Sequence, residues 1–366
     1  MKLSFFKHIE IRSFLIAVVV FVLAFASVYF SRSIRLTHPE AVQVTESLEF
    51  FIYEPVNVRE LMVSMEAEGF VFNRDELDWA AGILGWSRFL PGRYLFDGGY
   101  TYQEFLEKLA LGLQDPVSLR VPAGASKAAV KTWIARQMIF SREELETTMT
   151  DSDFLGKHGL EEHQLYGRLL PDTYQVFWTS SPERVLDRLL QEFDRRIVEP
   201  YGYRLDELGR SIDEITTLAS IIEWEARFDH EKPAISGLYW NRLNRRWRLQ
   251  ADPTVNYAKG ERGRLIYADY SIDHPYNTYR IHGLPPGPIT NPSFASLRAA
   301  LFPEEHDYMF MVATPEGTHA FSRTYAEHRR KSREWTNWLR QERQRRAEME
   351  RQAAMEGAAA EGQEKD

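Results

Sequence analysis

An apolar run near the N-terminus, residues 14–30, is the feature that most constrains how this 366-residue chain can fold. Only Ser27 interrupts the run, and basic residues flank it on both sides. The run is just long enough for a helix to cross the hydrocarbon core of a bilayer. Because lysines, an arginine and the terminal amine lie before it, the positive-inside rule predicts a cytoplasmic segment over residues 1–13 and an extracytoplasmic remainder. The predicted location is the plasma (inner) membrane, with a single pass.

A cleaved signal peptide is the alternative, because Ala24-Phe25-Ala26 has the small-x-small pattern of a cleavage site. The apolar run continues beyond that point to Phe30, which favours a retained anchor. The chain contains no cysteine, so disulfides, thiolate nucleophiles, cysteine-bound zinc and a lipidated N-terminal cysteine are excluded.

Composition and short motifs exclude several classes of function. The net charge of -8 argues against nucleic acid held on a basic surface. None of the ten histidines has HExxH spacing, so no metal site is predicted. The glycines form neither a phosphate-binding loop nor a dinucleotide fingerprint, and no serine lies in a nucleophile elbow. We therefore expect no cofactor.

The rest of the chain reads as an α+β protein in several parts. Residues 31–46 are polar and predict a tether that reaches at most roughly 50 Å. Residues 47–115 predict a small α+β module of short strands and helices. Residues 116–340 predict a mixed α/β domain whose cleft is rich in loops, and residues 341–366 predict a charged tail that frays into disorder.

One carboxyl group lies where a helix should be apolar. The segment from Leu218 to Phe228 is predicted to be helical, and a capping box at Ser211 supports this. A turn of 100° per residue puts Glu225 near the centre of the apolar arc. Burial there raises the pKa of a carboxyl group, as a general acid requires. The alternatives are a structural ion pair with an arginine across the core, and a helix that lies at the rim of the core with one edge in water.

Glu223 is predicted to have a different role from Glu225. On a helical wheel with the same 100° per residue, Glu223 lies on the polar face with Ser220. It also lies four residues before Arg227, which is the favourable order for an exposed helical ion pair. From that face Glu223 cannot act together with Glu225 on one substrate.

Loops rich in Pro, Gly, Asn and Tyr over residues 246–292 carry many neutral hydrogen-bonding groups and aromatic rings. Sugars need such groups, so the collection favours a saccharide-binding cleft. Taken singly, Asp252 can cap a turn with Pro253, and the Asn277 and Thr278 side chains can provide hydrogen-bond partners for backbone groups of the loop. Standard glycosidases use two carboxyl groups, for which Asp252 is a conceivable second.

The motifs occur in an order that resembles a known family, the membrane-anchored endolytic murein transglycosylases, also called the YceG-like family. The similar segments are LPGRYLF ending at Phe96, residues 167–174, ASIIEWEA at 219–226, NRL at 241–243, LQADPTVNY at 249–257, YNTY at 276–279, GLPPGPITNP at 283–292 and HAFS at 319–322.

The resemblance implies that Glu225 is the catalytic acid, and that Trp224 occupies a position where the family pattern leads us to expect lysine or another polar residue. It implies cleavage of the β-1,4 bond between N-acetylmuramic acid and N-acetylglucosamine without water, which leaves 1,6-anhydro ends and needs one carboxyl group. Residues 47–115 would be a LysM-like module. We expect contacts with the substrate from a set of polar residues in the cleft: Gln250, Asp252, Thr254, Asn277, Thr278 and Tyr279.

By the same resemblance, the chain would act on nascent peptidoglycan glycan strands near the membrane and terminate their elongation. Penicillin-binding proteins and other cell-wall synthases would be its partners. Two rival functions remain open from sequence. One is a catalytically silent peptidoglycan-binding scaffold for synthases, and the other is a hydrolase in which Asp252 or another acid activates water.

Overall fold

A computed structural model describes residues 2–363 of the chain, with side chains over 12–353. The chain divides into two compact units, each considered separately below. The N-terminal unit consists of residues up to 118 together with 137–139 and 175–180. The C-terminal unit contains residues 119–136 and 140–174, and the chain from 181 onward.

The N-terminal unit begins with one long helix, α1, over Lys2–Leu36. Residues Arg12–Leu36 of this helix are long and apolar enough to cross a membrane, which agrees with the predicted span. The helix also takes in the first six residues of the predicted tether, 31–36. It ends where Arg35 pairs with Glu76 at 2.8 Å and stacks over the Trp79 ring. Met1, the first residue of the predicted cytoplasmic segment, lies outside the described residues.

The rest of the described part of this unit contains five short strands and three helices. Its elements are β1 Val42–Gln43, β2 Leu48–Ile52, α2 Val58–Ala67, β3 Val71–Phe72, α3 Arg74–Leu84, β4 Gly92–Phe96, β5 Gly99–Tyr100 and α4 Tyr102–Ala110. The strands form a three-stranded sheet in the order β3-β1-β5 and an antiparallel β2-β4 pair. Edge-to-face rings fill the core, among them Phe50 against Phe70 with centroids 5.3 Å apart.

Local sequence signals account for the ends of these elements. The segment that ends at Phe96 forms β4. A capping box begins α4: the Glu104 N–H donates to the Thr101 hydroxyl at 3.1 Å, and the Thr101 N–H donates to the Glu104 carboxylate at 3.1 Å. Such reciprocal bonds satisfy donors that a helix start otherwise leaves free.

The C-terminal unit is mostly helical. Its elements, two of which begin or end in the other unit, are β6 Val117–Val121, α5 Lys127–Ala135, α6 Arg142–Thr150, α7 Ser152–Lys157, α8 Glu162–Leu165, β7 Asp172–Val176, α9 Pro182–Phe193, α10 Glu199–Leu208, α11 Ile212–Glu225, α12 Lys232–Asn244, α13 Asp252–Lys259, α14 Phe294–Leu301, β8 Phe310–Ala313, β9 His319–Ser322 and α15 Tyr325–Gln363. β6 pairs with β7, and β8 pairs with β9 in an antiparallel hairpin.

Helix α11 runs through the core of this unit and packs against α12 and α14. Its predicted capping box at Ser211 is confirmed. The helix ends at Glu225, three residues before the predicted end, because Ala226 turns to an extended conformation at φ -87° and ψ 124°. Glu225 is therefore the last helical residue, with its side chain at the rim of the core.

Two other predictions need correction. The region 246–292 contains a helix, α13, whose first residues, Asp252 and Pro253, were predicted to form a turn. Proline is well tolerated in the first turn of a helix, where no N–H partner is required. The tail predicted as disordered is helical to Gln363, and residues 364–366 lie outside the described residues.

Candidate active site

A cavity of about 400 Å³ opens in the C-terminal unit at the end of α11. Its walls come from α11, α12, the start of α13, the β8-β9 hairpin and the first turn of α15. The residues that line it are Glu225, Arg242, Gln250, Asp252, Tyr279, Phe310, Met311, Val312, Ala313, His319, Tyr325 and His328.

Glu225 is a carboxyl group in this cavity whose pKa departs strongly from its ordinary value. Its side chain is partly buried, and its Oε2 atom has no hydrogen-bond partner among the described residues. Burial, and after it the nearby charge of Asp252, raise its pKa to about 7. A position at the carboxyl end of a helix also disfavours negative charge. Near neutral pH the carboxyl group therefore exists in both forms.

Two groups of α12 oppose this shift. The hydroxyl of Tyr239 and the guanidinium of Arg242 both act to lower the pKa of Glu225. Tyr239 is fully buried, and its hydroxyl does not complete a hydrogen bond with any described group. Arg242 donates through Nε to the Met309 carbonyl at 2.9 Å and through Nη1 to the Leu249 carbonyl. Arg242 thus keeps a fixed positive charge near the carboxyl group.

Asp252 faces the cavity as the first residue of α13. Its two carboxylate oxygens accept hydrogen bonds from the hydroxyls of Tyr279 at 2.7 Å and Tyr270 at 3.4 Å. The two tyrosine rings meet edge to face with centroids 4.6 Å apart. The carboxylate is therefore held in one orientation, while the residue itself remains exposed.

Gln250 also lies in the cavity wall, with unusual backbone geometry. Its φ of +49° lies in the left-handed region, which non-glycine residues adopt only when their surroundings fix it. The Gln250 N–H donates to the Thr278 carbonyl at 3.2 Å, so the neighbouring loop helps to hold this conformation.

The other three residues expected to contact the substrate lie beneath the cavity. Thr254, Asn277 and Thr278 are fully buried. The Thr254 and Thr278 hydroxyls are 2.8 Å apart, and the Asn277 amide donates to the carbonyls of Tyr270 and Ile272. The Thr254–Thr278 contact joins the start of α13 to the Tyr276–Tyr279 loop, and Asn277 joins this loop to residues 270–272.

Glu223 does not form the predicted exposed pair with Arg227. Its carboxylate accepts from the hydroxyls of Ser293 and Ser296 and lies 3.3 Å from Nζ of Lys232. These partners outweigh the cost of burial and lower its pKa. Ser220 is also fully buried, so the wheel was wrong about this face of α11. The reason is that α14 packs there, which the helix sequence alone does not reveal.

Several cavity residues were not assigned a role from sequence. Arg242 and His319 lie in the quoted NRL and HAFS motifs, and that was their only signal. His319 is anchored by the buried Glu231, whose carboxylate accepts its backbone N–H at 2.5 Å and lies 3.6 Å from its Nδ1. His328 and Tyr325 belong to α15, whose basic composition gave no indication that it reaches the cavity.

Comparison with known proteins assigns the chain to a family. The family model described as the YceG-like family matches residues 50–334. The chain belongs to this family. The match includes both Glu225 and all the other residues that line the cavity.

Relatives of this YceG-like chain carry one name. A protein named endolytic murein transglycosylase from Bacillus subtilis (strain 168) is 31% identical over 263 residues, covering 67% of this chain and 72% of that protein. A protein of the same name from Streptococcus pneumoniae serotype 2 is 25% identical, covering 78% of this chain and 58% of that protein.

A solved structure has a similar fold. The crystal structure of a putative yceG-like protein from Listeria monocytogenes superposes with a TM-score of 0.55 and is 27% identical. It covers 78% of this chain and 99% of the Listeria chain.

Proposed function

We propose that this chain is a lytic transglycosylase that cleaves peptidoglycan, with Glu225 as its catalytic acid and base. The observation that carries the proposal is a single carboxyl group with a pKa of about 7 in a cavity of the family's matched region. The name of the relatives supplies murein as the substrate.

In the first step, protonated Glu225 gives its proton to the glycosidic oxygen between N-acetylmuramic acid and N-acetylglucosamine. The bond from the muramyl anomeric carbon to that oxygen then breaks, and N-acetylglucosamine leaves with a hydroxyl group. A general acid works best when its pKa is near the working pH, which is the value that burial and Asp252 give Glu225.

In the second step, the Glu225 carboxylate removes the proton from the C6 hydroxyl of the same muramyl residue. That oxygen bonds to the anomeric carbon and closes a 1,6-anhydro ring, so no water is consumed and Glu225 is protonated again. The positive charge of Arg242 favours the carboxylate between the two steps. Asp252, oriented by Tyr279, is suited to face the positive charge that develops on the sugar.

Of the expected substrate contacts, we propose that Gln250, Asp252 and Tyr279 act directly, because they line the cavity with Glu225. Thr254, Asn277 and Thr278 would act by holding those residues in place. With α1 as a membrane anchor, the enzyme would cut nascent strands beside the bilayer and terminate their elongation, in company with penicillin-binding proteins and other synthases. We further propose that residues 47–115 form a LysM-like module.

Digestion of peptidoglycan sacculi by the full chain in detergent tests the reaction. We expect products with 1,6-anhydro ends, which are lighter by one water than hydrolytic ends, and a loss of at least about a hundredfold in rate for Glu225→Gln. Reducing ends in place of anhydro ends would support the hydrolase in which Asp252 activates water. Equal activity of the variant would reject Glu225 as the catalytic acid. Binding of peptidoglycan by the wild-type chain without any cleavage would support the catalytically silent scaffold.

A further inference from the structure

A second pocket, of about 540 Å³, lies on the other side of the same helix end. Trp224, the residue before Glu225, forms part of its wall, together with Asn256 and Tyr257 of α13 and the Gly260–Arg262 loop that follows. The two cavities have no lining residue in common.

The position of this pocket relative to Glu225 follows from two helices. Successive side chains on α11 diverge by 100°, so Trp224 and Glu225 point into different cavities from adjacent backbone positions. Helix α13 begins with Asp252 in the first cavity and ends beside the second pocket. At 1.5 Å per residue, its two ends are about 10 Å apart.

Trp224 is rigidly placed in the pocket wall. Its indole N–H donates to the Gly124 carbonyl at 2.9 Å. Gly124 has a φ of +62°, a backbone conformation that glycine adopts without strain. Tyr257 is fixed as well, because its ring packs against Tyr276 with centroids 4.5 Å apart.

Arg262 lies over the Trp224 ring, where its positive charge can bind an anionic ligand. Its guanidinium carbon is 4.5 Å from the centroid of the Trp224 ring. The backbone N–H of Gly263 donates to the Asn256 side chain at 3.2 Å, which holds the loop in place. A guanidinium stacked on an aromatic ring keeps its edge N–H groups free to bind a carboxylate in the plane of the fork.

The other charges in the pocket are compensated by neighbours. Lys127 pairs with Glu162 at 2.5 Å, and Glu261 pairs with Lys259 at 3.1 Å. For Arg262, in contrast, no carboxylate of a described residue lies within salt-bridge distance. The described residues of the pocket therefore provide one cation without a carboxylate partner, Arg262, beside the aromatic rings of Trp224 and Tyr257. This combination suits an anionic group on a partly apolar ligand.

We propose that this pocket binds a carboxylate of the peptide branch that peptidoglycan carries on its muramyl residues. The inference rests on the proposed function, since it concerns the same substrate. A glycan strand needs one continuous groove, whereas two cavities with separate walls suit a strand at Glu225 and a branch that turns away past Trp224. Trp224 would thus select substrates that bear peptides.

Binding to a chain silenced by Glu225→Gln tests this without need of turnover. The probes are soluble glycan fragments with intact peptides, the same fragments with their peptide carboxyls converted to methylamides, and fragments stripped of peptide by an amidase. We expect the intact fragments to bind about tenfold more tightly than the methylamides, the size of one charge-assisted hydrogen bond.

Adding Arg262→Gln should abolish this preference and leave the affinity for stripped fragments unchanged. Arg264→Gln is the matched control, because Arg264 is exposed two residues beyond Arg262 and does not line the pocket. Equal binding of intact and methylamidated fragments, or the same loss from both variants, would overturn the proposal. A preference that persists while the active chain gives no anhydro products would instead contradict the transglycosylase mechanism alone.

Discussion

At the scale of single residues, the acidity of Glu225 depends on a neighbour that can be changed. Its raised pKa means that the protonated acid is present below pH 7 and is lost as the pH rises through about 7. The charge of Asp252 contributes to that rise. Asp252→Asn removes the charge and should therefore move the alkaline limb of kcat/KM to lower pH, by roughly one unit.

The pH profile of anhydro-product formation measures this shift even if Asp252→Asn lowers the rate at every pH. Asp273→Asn is the control, since the Asp273 side chain is 98% exposed and lies outside the cavity wall. An alkaline limb that stays in place in Asp252→Asn would show that Asp252 does not set the acidity of Glu225.

The helical wheel could find Glu225 because a carboxyl group on an apolar arc is visible in one segment of sequence. It could not find the burial of Glu223, because the serines that satisfy that carboxylate follow 70 residues later at the start of α14. Partners that are distant in sequence decide whether a polar residue is exposed or buried. For the same reason Thr254 and Thr278 gave no sign that they hydrogen-bond to each other.

At the scale of elements, a local signal predicted the start of α11, since a capping box needs only four consecutive residues. Local signals failed at α13, where Asp252-Pro253 serves equally well as a turn or as the first turn of a helix. Tertiary packing decides between the two: Thr254 and Val255 are fully buried in this unit. The cavity wall built by the start of α13 was therefore outside the reach of local sequence reasoning.

Helix α12, which carries Tyr239 and Arg242, packs very closely on the segment after α14. A Cβ added at Gly237 would lie 2.2 Å from the backbone oxygen of Glu304. Gly237→Ala should therefore lower the free energy of unfolding by about 1–3 kcal/mol, because backbone must move. Thermal unfolding of the full chain in detergent measures the loss.

The matched control for this change is another helical glycine. Gly202 in α10 would place a Cβ with nothing within 4 Å, so Gly202→Ala should raise stability by roughly 0.5–1 kcal/mol. Equal effects of the two substitutions would contradict the close approach of α12 to Glu304.

At the scale of the whole molecule, our proposal requires that α1 be retained as a membrane anchor, because the anchor would decide where the chemistry takes place. The span Arg12–Leu36 exposes apolar side chains such as Phe21 at 71%, which only a lipid environment would cover in the absence of other contacts. We therefore expect the chain recovered from membranes to have the full mass of 42.7 kDa. Mass spectrometry of the detergent-extracted protein measures it.

A variant with leucine at both Ala24 and Ala26 separates an anchor from a signal peptide, because it removes the small-x-small pattern and lengthens no part of the span. If α1 is retained, the variant and the wild-type chain will have unprocessed masses and the same membrane fraction. A shortened wild-type chain beside a full-length variant would instead mean that cleavage follows Ala26. The catalytic unit would then be free of the bilayer, and its proposed action on nascent strands would lose the tether that confines it there.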